Sequence, residues 1–257
     1  MNPVELHVED SGGAGEAVVL AHAIGCDRRM WDDLAQRLAP RYRVLRLDAR
    51  GHGRSPVPPR PYTLAAMADD ARAALDRLGV AKAHWVGLSM GGMIGQAFAL
   101  AHGDRLGRLV LANTTSSYGS EGRPMWEARA KLVAEGGLAA IAPTVEQRYF
   151  SDAFRRDHPE VVSAAMRRFL ETPAAGYLGC CDAIAALDFA ARLPGIRHRT
   201  LVIAGEADAG TPVAMSEAIV ARMPDARLAV VRGAAHLSAV EKPDEFARLV
   251  LDFLAAS

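Results

Sequence analysis

The stretch "GLSMGG", residues 87–92, decides how the rest of the chain is read. Gly87 and Gly91 stand two residues either side of Ser89, between the apolar run "AHWV" and a stretch of helical period. A serine in such a G-x-S-x-G match occupies a sharp strand-to-helix turn that pushes its hydroxyl out of the fold. Neighbouring elements pack against the turn, so the flanking positions must be nearly free of side chain. A glycine-rich turn with an incidental serine fits the same six letters. The surroundings must choose.

Outward from that stretch, short aliphatic runs alternate with longer helical ones. The expected strands are "ELHVE" (5–9), "AVVLA" (17–21), "YRVLRL" (42–47), "AHWVG" (83–87), "RLVLAN" (108–113), "TLVIA" (200–204) and "RLAVV" (227–231). Most lack polar alternation, as parallel strands covered on both faces do. Leu64, Met67, Ala68, Ala71, Leu75 and Leu78 form a helical stripe, with Thr63 as cap and Gly79 as stop. Met90, Met93, Ile94, Ala97, Phe98 and Ala101 form another, directly after Ser89. Pro243 suits the first turn of a last helix that buries Phe246, Val250 and Phe253. Such alternation predicts a doubly wound α/β fold with a mostly parallel sheet of about seven strands. Only one strand is expected before residue 17. The rhythm breaks between residues 115 and 193, which read as an inserted helical cap on a core formed by 1–114 and 194–257.

Composition narrows the function. The chain has 257 residues, 50% of them hydrophobic, enough for a full core plus an insertion. Thirty basic residues balance thirty acidic ones, so no global field points to nucleic acid or a membrane surface. The start "MNPVELHVED" has no apolar signal-peptide core, and no apolar run approaches the ~18 residues of a membrane span. Cys26 and the adjacent Cys180 and Cys181 make neither a disulfide framework nor a C-x-x-C metal spacing. A soluble cytoplasmic protein acting on a small molecule is expected.

A serine hydroxyl is a poor nucleophile until a base takes its proton, and that base needs an acid to orient it. After an elbow serine the acid and then the histidine follow along the chain, each where a strand ends. Asp208 lies just beyond the strand at 200–204, in "LVIAGEADAGTP", and His236 just beyond the strand at 227–231. Of eight histidines only His236 has both the place and the order. His7, His84 and His198 sit in or near strands, and His102 and His158 on helical faces. Glu206 stands nearer the strand end than Asp208 and is the rival acid. The alternative acid position, after the preceding strand, holds Asn113 and offers no carboxylate. Two backbone N–H groups must also face the developing oxyanion. Met90, at a helix N-terminus, supplies one, and Ile24, in "HAIGCD" after the strand at 17–21, is the candidate for the other.

The ordered words "AHAIGCDRRMW", "DARGHGRS", "GLSMGG", "GEADAGTP" and "AHLSAVEKPDEF" resemble the α/β-hydrolase superfamily along nearly the whole chain. "DARGHGRSPVPPRPYTL", "GLSMGGMIGQ" and "RLVLANTTSSYG" are especially similar to the 3-oxoadipate enol-lactonases of aromatic degradation. The resemblance places nucleophile, acid and base on Ser89, Asp208 and His236, in agreement with the reading of the residues. Two places depart from that family's pattern. His22 and Ala23 replace polar oxyanion-loop residues, and Ala239 stands where an asparagine is common. His22 is expected to brace its loop, His52 to hold the turn in "RGHGRS", and Cys26 to be a small buried side chain.

What the resemblance implies is hydrolysis of a small carboxylated enol lactone through an acyl-enzyme, with no metal or organic cofactor. A carboxylesterase or C–C bond hydrolase of the same fold is the nearest alternative. A dehalogenase or epoxide hydrolase would carry aspartate at the elbow. A ligand receptor on a hydrolase scaffold is the alternative from another class, against which the complete Ser–Asp–His set argues. A chain without net charge must grip a carboxylate locally. Arg50 and Arg54 belong to a turn suited to structural pairing. Among the cap cations Arg148 is singled out because Tyr149 and Phe150 follow it in "EQRYF", making Arg148 and Tyr149 the expected substrate contacts.

Overall fold

Seven β-branched or aliphatic runs pair into one sheet in the order β1-β3-β2-β4-β5-β6-β7. The computed structural model describes residues 2–256. The strands are β1 (Val8–Asp10), β2 (Ala17–Ala21), β3 (Arg43–Leu47), β4 (Ala83–Leu88), β5 (Leu106–Ala112), β6 (Thr200–Gly205) and β7 (Ala226–Val231). Only β1 runs antiparallel, on the edge beside β3. Every other pairing is parallel. β2, β4 and β6 are buried at every position, which explains why their sequences carry no polar alternation.

The first strand begins later than the expected 5–9. His7 N–H donates to Ser55 Oγ at 2.8 Å and Val4 N–H to Asp70 Oδ1 of a helix at 2.7 Å, so the N–H groups ahead of the strand are taken by side chains. Leu6 is buried all the same.

Helices cover both faces. On one side α1 (Asp32–Leu38) packs against the last helix, α11 (Pro243–Ala255). On the other, α2 (Leu64–Arg77) packs against α3 (Met90–Ala101). Thr63 caps α2, its hydroxyl accepting from Ala66 N–H at 3.1 Å. Two shorter helices, α9 (Val213–Val220) and α10 (Ser238–Glu241), follow β6 and β7.

Between β5 and β6 the chain folds into α4 (Gly122–Gly136), α5 (Ala142–Tyr149), α6 (Asp152–Asp157), α7 (Pro159–Glu171) and α8 (Ala174–Ala185). It leaves and returns at one neck, where Ser117 bridges Asp188 and Phe189 N–H donates to Ser116 O at 2.8 Å. Its contacts fall on loops at the carboxyl ends of the strands. Leu237 N–H, after β7, donates to Tyr149 O at 3.0 Å, and Ser151 Oγ donates to Glu241 Oε2 at 2.6 Å.

One ion pair is wholly buried in the core. Arg50, after β3, grips Asp70 of α2 through Nε at 2.6 Å and Nη2 at 2.7 Å. Breaking such a pair strands a charge in low dielectric and costs about 3–5 kcal/mol. Arg50→Ala should lose that amount in urea unfolding, and a loss under about 1 kcal/mol would mean Asp70 finds another partner.

Candidate active site

Ser89 stands directly after β4, at the N-cap of α3, with φ +54° and ψ −115°. That conformation is costly for a residue with a Cβ and persists only when its surroundings hold it. Here the surroundings do. Ser89 N–H donates to Ala112 O at 2.9 Å, while Ser89 O accepts from Thr114 Oγ1 at 2.8 Å and from Met93 N–H at 3.0 Å. The flanking glycines are obligatory. A Cβ on Gly91 would stand 2.0 Å from Ala21 O, and one on Gly87 2.2 Å from Gly91 O. Both contacts are to backbone, which cannot yield without moving β2 or α3.

Asp208 and His236 meet beyond β6 and β7. His236 Nδ1 lies 2.8 Å from Asp208 Oδ2. Asp208 also accepts from Gly210 N–H at 2.8 Å, Thr211 N–H at 3.0 Å, Thr211 Oγ1 at 2.7 Å and Asn113 Nδ2 at 2.9 Å. Burial pushes its pKa up, but the facing His236 charge and the hydrogen bonds from His236, Asn113 and Thr211 prevail and hold it at about 2. An ionised carboxylate only accepts, so the neutral form of His236 carries its proton on Nδ1 and its lone pair on Nε2. The pair can therefore take up a proton at Nε2 and stabilise the imidazolium formed.

The rival acid is elsewhere. Glu206 is exposed, and its Oε2 accepts from Gly233 N–H at 2.9 Å.

The loop after β2 is held by two neutral histidines. His22 Nε2 accepts from Ala49 N–H at 2.9 Å, so its proton is on Nδ1, 2.8 Å from Ala23 O. That bond fixes the peptide that carries the Ile24 N–H. His52 Nε2 accepts from Gly25 N–H at 2.9 Å, so it braces the loop after β2 rather than only its own turn. Among the described residues the Ile24 N–H donates to no protein acceptor. Met90, first in α3, has an N–H without a partner inside its helix. Burial, then the charge on Asp27, pushes the Cys26 thiol up to about 12, so it is no thiolate at neutral pH.

The other sequence candidates lie on α5. Arg148 is half-buried, its stem against Gly210 of the acid loop, and among the described residues it makes no hydrogen bond or ion pair. Tyr149 is buried, its ring stacked on His236 with centroids 6.0 Å apart. Three further residues make contacts that the sequence alone did not reveal. Asn113, passed over for lacking a carboxylate, donates to Asp208 and also to Ala235 O at 3.2 Å, and accepts from Ser238 Oγ. It joins the acid loop to the histidine loop. Its backbone φ of +45° is another mark of a held position. On α4, Trp126 Nε1 is buried without any acceptor. One turn on, Arg129 lies over the Trp126 ring and donates from Nε to Tyr177 OH at 2.7 Å, but pairs with no carboxylate among the described residues. A W-x-x-R pair at helical spacing was the only sequence signal for it.

This architecture has known counterparts. Residues 16–243 match the family model described as the alpha/beta hydrolase fold, and the chain belongs to that family. It is similar to 3-oxoadipate enol-lactonase 2 of Acinetobacter baylyi, 35% identical over 90% of this chain and 85% of that protein. Among solved structures, the enol-lactonase of Burkholderia xenovorans LB400 superposes with a TM-score of 0.94 at 35% identity, covering 98% of this chain and 96% of that one. A malate-bound thermophilic esterase of Thermogutta terrifontis superposes at 0.92 with 33% identity, covering 98% and 93%.

The buried histidines make stability depend on pH. Burial, then the charge of His22, drives His52 down to about 3, and burial lowers His22 as well. Unfolded, each takes a proton near about 6.5. The His52 contribution is therefore complete above that pH and is lost as pH falls toward about 3, and the His22 contribution falls away in the same direction. Each adds a slope of about 1.4 kcal/mol per pH unit inside its window. In urea unfolding between pH 6 and 4.5, His52→Gln, whose carbonyl can still accept from Gly25, should flatten the profile by one such slope. An unchanged slope would mean His52 is already protonated in the folded protein.

Proposed function

We propose that this protein is a serine hydrolase that opens a small carboxylated enol lactone through an acyl-enzyme. The observation that carries the chemistry is the His236–Asp208 pair, with Nε2 left free as base, at the same sheet edge as the strained Ser89. Ser89 Oγ attacks the ring carbonyl while its proton passes to His236 Nε2, and Asp208 stabilises the imidazolium. The N–H groups of Ile24 and Met90 hold the oxyanion. Collapse breaks the ring C–O bond and expels an enolate, which takes a proton and settles as a ketone. Water, deprotonated by His236, then attacks the acyl-enzyme and releases a carboxylate and Ser89.

The helical stretch 115–193 acts in this reading as a cap over the site, and it carries the substrate's counter-charge. Arg148 and Arg129 both lack an acid partner, and the orphaned Trp126 donor beside Arg129 favours an anionic ligand. Similarity to enol-lactonases supports the same choice. Similarity to an esterase keeps a carboxylesterase as the second reading.

Fluorophosphonate labelling at Ser89 and turnover of an enol lactone beside neutral aryl esters test these assignments. Ser89→Ala and His236→Ala should each lower kcat by on the order of 10⁵ to 10⁶, with little further loss when combined. Asp208→Asn should cost roughly 10⁴, and an equal loss in Glu206→Gln would move the acid. Arg148→Ala and Arg129→Ala should cut kcat/KM for the carboxylated lactone by about tenfold or more while sparing the aryl ester. Faster turnover of neutral esters than of the lactone selects the esterase, and absence of labelling selects a receptor.

A further inference from the structure

The clamp on the oxyanion loop is incomplete without the helical insertion. Of the Ile24–Gly25 peptide, the N–H is held by His52. Its carbonyl, Ile24 O, has a different partner: the hydroxyl of Tyr149, which donates to it from α5. Burial, with Cys26 beside it, drives the Tyr149 phenol well above its ordinary range, so the hydroxyl keeps its proton and acts as donor.

The same residue reaches the histidine loop twice. Its backbone carbonyl accepts from Leu237 N–H at 3.0 Å, one residue past His236. Its ring lies nearly parallel to the His236 imidazole, with an interplanar angle of 20°. The adjacent junction is stapled to the same loop, because Glu241 accepts from Ser151 Oγ at 2.6 Å and from Ala235 N–H at 2.8 Å. One side chain thus touches the loop that carries an oxyanion donor and the ring that carries the base, groups more than two hundred residues apart in sequence.

We infer that Tyr149 is a positioning residue, whose hydroxyl aligns the Ile24 N–H for the oxyanion and so couples the helical insertion to turnover. The inference rests on the serine-hydrolase reading above. Its physical basis is preorganisation. A donor stabilises the tetrahedral oxyanion only if it is aimed before charge develops, and loss of one whole donor costs roughly 10²–10³ in kcat. Losing the alignment of a donor that remains present costs less.

Tyr149→Phe in the full chain isolates the hydroxyl, since the ring and the Leu237 bond stay. On a neutral aryl ester the variant should lose about ten- to a hundredfold in kcat, with KM within about twofold. Inhibition by an aryl boronic acid, which forms a tetrahedral anion on the serine, should weaken by the same factor as kcat/KM. A merely structural role would not single out the tetrahedral state. Because Cys26 also adjoins the hydroxyl, Cys26→Ala serves as control and should turn over as the unmodified chain does. Wild-type kcat in Tyr149→Phe, a loss confined to KM, or an equal loss in Cys26→Ala would each overturn the inference. A chain that neither turns over esters nor labels at Ser89 would instead sink the serine-hydrolase reading itself.

Discussion

The close approach of α3 to β2 is the constraint on which the rest of this structure depends. With 2.0 Å between Ala21 O and any Cβ at Gly91, only glycine lets the helix start where it does. That start forces Ser89 into positive φ, lifts its side chain above the carboxyl edge of the sheet and leaves the Met90 N–H at a helix terminus. Strain at one residue is sustained because hydrogen bonds from β5 and α3 hold its backbone on both sides. Those bonds order the outer positions too, since Thr114, which anchors Ser89 O, directly follows Asn113.

Asn113 extends that order to the acid and the histidine. A carboxylate with five hydrogen bonds from four residues has little freedom, and its ionised state dictates which nitrogen of the neutral imidazole carries the proton. A similar economy operates across the sheet. His22 and His52 act as neutral acceptors for backbone N–H groups, so burial that would be unfavourable for imidazolium suits them. The site is thus rigid through backbone-directed bonds, with few side chains spent on it.

The helical insertion is built into this edge rather than laid over it. Tyr149, Ser151 and Glu241 tie its middle to the histidine loop, and Ser117 with Asp188 ties its ends to the sheet. Elsewhere on it the buried Trp126 Nε1 has no acceptor, and Arg129, over the Trp126 ring, has no acid partner among the described residues.

Much of this was legible in the amino-acid sequence because its causes are local. Apolar runs without alternation read as covered parallel strands, a threonine and a glycine bounded α2, and two glycines around Ser89 announced the turn. The fold family, the alternation of strands with helices and the chain order Ser89, Asp208, His236 follow from such short-range patterns. What the tertiary structure decided arises between residues distant in the chain. Residues 5–9 read as a strand, yet the N–H groups of Val4 and His7 find Asp70 and Ser55, and β1 starts only at Val8. Asn113 reads as a missing acid until the acid loop and the histidine loop converge on its amide. Arg148 and Arg129 are indistinguishable from solvated helix cations until ion pairing is seen around them, because a sequence lists charges without their neighbours. Hydrophobic period survives in one dimension, whereas the partner of a hydrogen bond exists only once the chain has folded.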